Sequence, residues 1–390
     1  MRWVLLITLG TILLYGQQTV ERAWRLVADG KRTEAEALLY QVIAKQPGNA
    51  EAHLLLGSLL MEAGKKDESI EQLKTGAKLE PHSADAQNAL GEALNKFGRT
   101  SEAKRAFEKA LALKPDFGIA QFNLGQVLLA HGDIEGAAQH LDRAIRLLGR
   151  SDDAADAYYL RAKVYMAKNE IEEAAKALEA ALQIRPNFAE AWSDLGQARK
   201  ALLDDAGALD AFKKAVALKP DDAVAQYRLG AELLREDQPE AAIEHLKASY
   251  RIKSDDQSTL NALQSALRQA GRTAEADEIR RKLVDLLRER DRQNQNELRA
   301  VKLNNEGAEL QKTGDLRGAL EKYREAVQLY PAHPGMRLNY ALALLQTGQW
   351  TQGLNELHDA LARDPQNEKI RAVLQDALKQ APPGTVPKWE

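Results

Sequence analysis

The chain has no cysteine, and only 5% of its 390 residues are aromatic. The first absence removes disulfides and thiolate metal sites, and it rules out lipoprotein-type lipid attachment after an apolar N-terminus. An excess of one charge is also missing. Lys and Arg number 54 against 57 Asp and Glu, a net of −3 without a strong basic block. A cationic surface for nucleic acid is therefore not expected. Chemical signatures are missing as well: there is no Gly-rich phosphate loop with its lysine, no HExxH and no Gly–x–Ser–x–Gly elbow. The seven histidines (His53, His82, His131, His140, His245, His333 and His358) are scattered and read as surface residues rather than ligands. Nothing in this inventory calls for catalysis, a cofactor, a metal or a small-molecule substrate.

What the chain does have is a period. Pro47, Pro81 and Pro115 stand 34 apart, as do Pro186 and Pro220, and Pro331 and Pro365. Small residues keep the same beat at Ala35, Ser69, Ala103, Ala137, Ala174, Ala208, Ala242, Ala276, Ala319 and Gly353. A turn residue recurs at Gly30, Gly64, Gly98, Gly132, Asn169, Gly271, Gly314 and Gly348. A fixed period in the thirties means stacked repeats. One unit shows the physics. The pattern predicts a helix over Asp85–Lys96, ended by Gly98 because glycine takes the left-handed conformation past a C-terminus cheaply. Thr100 or Ser101 can cap a second helix carrying Ala103, Phe107, Ala110 and Leu111 at helical spacing. Pro115 then stops it. Gly57, Gly91, Gly125, Ala162, Gly196 and Gly230 on the first helix, facing the alanine series on the second, let the two axes approach closely. One pair cannot bury both apolar faces, so neighbours must stack.

In these residues the chain resembles the tetratricopeptide repeat family. The family's Trp–x–x–Leu–Gly signature stands at Trp192, Leu195 and Gly196, and its later positions match at Ala208, Phe212, Ala215 and Pro220. About ten units cover roughly residues 16–367. The resemblance implies an all-α, right-handed superhelical solenoid whose first helices line a concave groove for a protein or peptide partner. That face maps to Leu54, Met61, Phe122, Leu129, Tyr159, Met166, Tyr227 and Leu234. Aromatics and methionine suit an adaptable groove; the competing account is that these side chains fill gaps between adjacent first helices. Two better-known uses of the family find no support. For the chaperone-tail clamp, repeats 9 and 10 offer Asn304, Ala308 and Asn339, so it is broken at two positions and no third full unit follows. An asparagine ladder would need more than Asn123, Asn305 and Asn339, which are isolated or paired.

The period breaks twice. Pro115 and Pro186 are 71 apart, three more than two periods, with the surplus near Gly149–Asp153. This is a longer surface turn or a change of superhelical angle. Repeat 8 has Gln264 where glycine is expected and Arg280 where a large apolar residue is expected, and Arg288–Glu297 contains no apolar side chain. The reading is repeats 1–8 over 17–287, a polar helical connector over 288–299, repeats 9 and 10 over 300–367, a capping helix over 368–381 and a disordered tail over 382–390. At the N-terminus, Met1-Arg2 precedes the uncharged apolar run Trp3–Gly16. As a helix this run is about 21 Å long, short of the roughly 30 Å hydrocarbon core. It suits a signal peptide over 1–16, with an uncleaved anchor and membrane tether as the rival. The expectation is an exported, periplasmic or envelope scaffold without catalysis; the alternative is a regulatory or substrate-recruiting subunit of an enzyme complex.

Overall fold

The computed structural model describes residues 18–365 and 367–389, and every regular element among them is a helix. The signal or anchor segment, 1–16, lies outside the described residues. The chain divides into two compact units between Ser254 and Asp255. The first unit stacks helical hairpins. Residues 18–28 form α1, followed by α2 (Arg32–Lys45), α3 (Ala50–Glu62), α4 (Lys66–Leu79), α5 (Ala84–Lys96), α6 (Thr100–Leu113) and α7 (Gly118–Ala130). It continues through α8 (Ile134–Leu148), α9 (Asp152–Ala167), α10 (Ile171–Ile184), α11 (Ala189–Ala201), α12 (Asp205–Leu218), α13 (Ala223–Arg235) and α14 (Pro239–Ile252). The second unit holds α15 (Gln257–Gln269), α16 (Thr273–Lys312), α17 (Leu316–Leu329), α18 (Pro334–Gln346), α19 (Trp350–Arg363) and α20 (Glu368–Gln380).

The hairpins close as the small-residue series requires. A Cβ built on Gly196 would stand 2.5 Å from Cε1 of Phe212, and one on Gly91 the same distance from Cε1 of Phe107. The bare first-helix backbone is thus the seat of the large side chain sixteen residues later. Repeat 8 has exchanged both members. Arg280 is exposed and pairs with Asp277 at 3.6 Å, while Gln264 is half-buried. Between helices the chain turns through a left-handed residue, and in the two hairpins without glycine or asparagine there, Leu203 (φ 62°) and Asp237 (φ 58°) adopt it. The second-helix cap expected at Thr100 or Ser101 is not used. Arg99 holds that position, its guanidinium bonded to Glu102 at 2.6 Å. The three-residue surplus becomes helix: α8 and α9 run to 15 and 16 residues, and Ser151 caps α9.

The polar connector expected over 288–299 is helical and continuous with the helices on both sides, so the second helix of repeat 8 and the first of repeat 9 are one 40-residue helix. The boundary between the two compact units falls earlier, between Ser254 and Asp255. Ala276, Ile279 and Leu283 are buried near one end of α16, and Ala300, Leu303 and Gly307 near the other. No residue between them is buried; Arg290 alone reaches back, to the carbonyl of Asp255 at 2.9 Å. One expectation needs correction: the tail is not disordered through its described residues. Trp389 stacks on His358 at 4.7 Å and donates to Asn355 Oδ1 at 3.0 Å, and Thr351 donates to the carbonyl of Thr385. It covers apolar surface left open at the end of the stack.

A polar stretch docked by so few contacts opens locally at small cost. Brief trypsin treatment of dilute protein is therefore expected to cut first at Arg288, Arg290 or Arg292, as read by intact-fragment mass. First cleavage at Arg150 would show that the middle of α16 is held more firmly than its burial indicates.

Candidate functional site

The first-helix face of the N-terminal unit carries the sequence-predicted site residues, and all eight are half-buried. Leu54, Met61, Phe122 and Leu129 pack their inner atoms against one core cluster that includes Leu73, Phe107 and Leu141. Leu54 is wedged over Gly76, where an added Cβ would lie 2.6 Å from it. Tyr159 packs beside Phe188 with ring centroids 4.9 Å apart. Met166, Tyr227 and Leu234 remain half-exposed on their helices. The structure thus groups the first four on a common base and separates them from the tyrosines.

Polar rungs bridge neighbouring first helices, and sequence reasoning missed most of them. Asn123 donates to Asn88 Oδ1 at 3.1 Å and to Glu92 at 3.0 Å, between Leu54 and Phe122 along the stack. In the C-terminal unit Asn339 donates to Asn304 at 3.0 Å, and Gln311 to Gln346 at 2.6 Å. The densest node centres on Asp194, whose residue is 4% exposed. Its carboxylate accepts from Lys163 Nζ at 2.9 Å, Tyr159 Oη at 3.1 Å and Arg228 Nη1 at 2.9 Å. Arg228 also donates to Ser193 Oγ at 2.6 Å. Three successive first helices, α9, α11 and α13, meet in this cluster. The detectable signal was spacing. Lys163, Asp194 and Arg228 lie about one repeat apart with alternating sign, as Asn88 and Asn123 do without charge.

Electrostatics follow from the geometry. Burial alone would push the Asp194 carboxyl up, but the Lys163 and Arg228 cations and their hydrogen bonds outweigh it and hold it below its ordinary value. Burial first, then the Asp194 charge, raises the Tyr159 phenol, so it stays a hydrogen-bond donor.

His82 and His131 are exposed as expected, but three other histidines are struts. His53 is 6% exposed and bridges Gln72 (2.6 Å) and the Pro47 carbonyl (3.0 Å). In two other hairpins the roles are exchanged: His140 and His245 bond Gln121 and Gln226, whose amides donate to the Pro115 and Pro220 carbonyls, and burial depresses both imidazoles. Among the described residues no group of three His, Cys, Asp or Glu could hold a metal ion, and no helix is long and apolar enough to cross a membrane.

Known proteins place this architecture. Tetratricopeptide repeat profiles match residues 9–93, 89–155 and 310–377, and a TPR repeat profile matches 162–202. Protein FlbA of Caulobacter vibrioides is 31% identical over 188 residues, which are 48% of this chain and 30% of FlbA. The match therefore spans less than a third of that relative. PilF of Pseudomonas aeruginosa aligns with a TM-score of 0.51 at 16% identity, covering 54% of this chain and 95% of PilF. YrrB, a TPR protein with an unusual peptide-binding site, aligns at 0.42 and 20% identity, covering 49% of this chain and 96% of YrrB. At 16% identity the likeness to PilF speaks for the fold alone.

Proposed function

We propose, on the premise that this chain belongs to the tetratricopeptide repeat family, that it is a non-catalytic adaptor holding a partner segment against the first-helix face of its N-terminal unit. Proteins of this repeat class generally mediate protein–protein interaction. The observation that carries the finer reading is the make-up of that face. Half-exposed apolar side chains at Leu54, Met61, Phe122 and Leu129 are interleaved with fixed polar rungs. Such a surface offers apolar anchorage for a segment, with hydrogen-bonding groups to set its register. The apolar run Trp3–Gly16 supports placing the adaptor at the cell envelope, by export or by a membrane tether.

A photoreactive amino acid placed at Leu129 or Tyr227 in living cells should yield discrete adducts with a protein, recovered with the envelope fraction. Placement at Lys176, a highly exposed side chain on α10, should not. Equal labelling from all three positions, or none from the first two, would remove this face as the binding surface.

A further inference from the structure

Four exposed apolar side chains of the C-terminal unit form a line on α16. Val284, Leu287, Leu298 and Val301 are 38%, 41%, 72% and 45% exposed. Their spacing is that of alternate a and d positions in a heptad, with Asp291 and Asn294 in the two places between. The line is distinct from the buried set of Ala276, Ile279 and Leu283 and from that of Ala300, Leu303 and Gly307. Beyond Val301 it continues through Asn305 and Ala308 along the side of an open cleft of about 1020 Å³.

The line reads almost identically in both directions. Turned about a point midway between Arg292 and Gln293, Val284 falls on Val301, Leu287 on Leu298, and Asp291 on Asn294. A surface that maps onto itself under a half-turn is complementary to a second copy across a two-fold axis. We propose that α16 is a homodimerisation helix, pairing antiparallel with α16 of another copy through this line. Charge favours the same partner and direction. In the antiparallel pair each Asp291 carboxylate faces an Asn294 amide that can donate to it, whereas a parallel pair would set Asp291 against Asp291. Glu297, which makes no ion pair among the described residues, would come alongside the other copy's Arg288–Arg290 turn. The contacting stretch is about 27 Å long, at the small end of specific interfaces. A dissociation constant on the order of micromolar is expected.

The test uses the full chain in mild detergent and sedimentation across a concentration series. Wild-type protein should move from one copy to two, and Leu287→Glu with Leu298→Glu should stay at one copy. Thermal melting of that variant should be unchanged, since both side chains are exposed. Because the chain has no cysteine, Leu287→Cys and Leu298→Cys variants each carry a single thiol. Mixed and oxidised, they should give predominantly the 287–298 disulfide between unlike copies. Three results would overturn the proposal: one copy at every concentration, a dimer that survives the double glutamate variant, or thiols that pair only like with like.

Discussion

Phe212→Ala should destabilise the N-terminal unit by about 3–5 kcal/mol, among the largest losses available to one substitution in this chain. Phe212 is 2% exposed, and its ring lies where a side chain on Gly196 would have to go. The reverse change, Gly196→Ala, should cost about 1–3 kcal/mol by overpacking, since a methyl group cannot sit 2.5 Å from a ring carbon. The informative experiment is the combination. With Phe212→Leu in place, the Gly196→Ala methyl gains room, so the double variant should lose less than the sum of the two singles. Repeat arrays need not unfold all at once. The loss should therefore be read locally, by hydrogen exchange of α11 and α12 amides. Strict additivity would mean that the two residues do not compete for one space.

The glycine positions were legible, but the alanine series was expected to face them. The constant sixteen-residue offset, Gly91 with Phe107 and Gly196 with Phe212, is the signal for the partner they do have. The helical hairpins were legible from the constant spacing of Pro47, Gly64, Pro81 and their successors. Where the structure departs from expectation, one interaction outweighed a local signal. Leu203 and Asp237 take the left-handed turn because the helices on both sides dictate it, although neither residue asks for it. The continuity of α16 had a signal of absence: no proline occurs between Pro239 and Pro331, and nothing from Thr273 onward stops the helix before Lys312. The lack of apolar residues in its middle fits a polar helical connector, because a helix anchored at both ends can cross open solvent. In the tail, proline and glycine suggested disorder, and Trp389 decided otherwise by stacking on His358. Of the candidate site, the apolar positions could be mapped from the repeat register. The Asp194 node carried only the weaker signal of repeat spacing, because an aspartate beside Leu195 looks like any solvated helix carboxylate until Lys163 and Arg228 are brought to it.

Asp194→Ala should cost about 2–4 kcal/mol, second only to losses of the Phe212 kind, and the cost should depend on pH. The substitution leaves Tyr159, Lys163 and Arg228 without their common acceptor. The lower part of the usual range for a broken buried pair applies, since Lys163 is 42% exposed and can turn to water, whereas Arg228 is 19% exposed and less able to. In the folded protein the Asp194 carboxyl is held below the ordinary value of 3.8, so the folded state binds fewer protons than the unfolded state as that range is approached. Its stabilisation is therefore fully present above about pH 4 and is lost as pH falls through the lower folded value. Asp194→Asn keeps the shape and removes the charge, so it isolates this contribution. The urea-unfolding difference between wild type and Asp194→Asn should be flat from about pH 5 to 8 and should shrink below about pH 4. The Tyr159 phenol, raised by burial and by Asp194, acts on the opposite side. Its contribution holds below the ordinary value of 10.0 and is lost as pH rises through the higher folded value. A difference that stayed constant down to pH 2, or that grew on acidification, would mean Asp194 is not the ion-paired carboxylate this geometry describes.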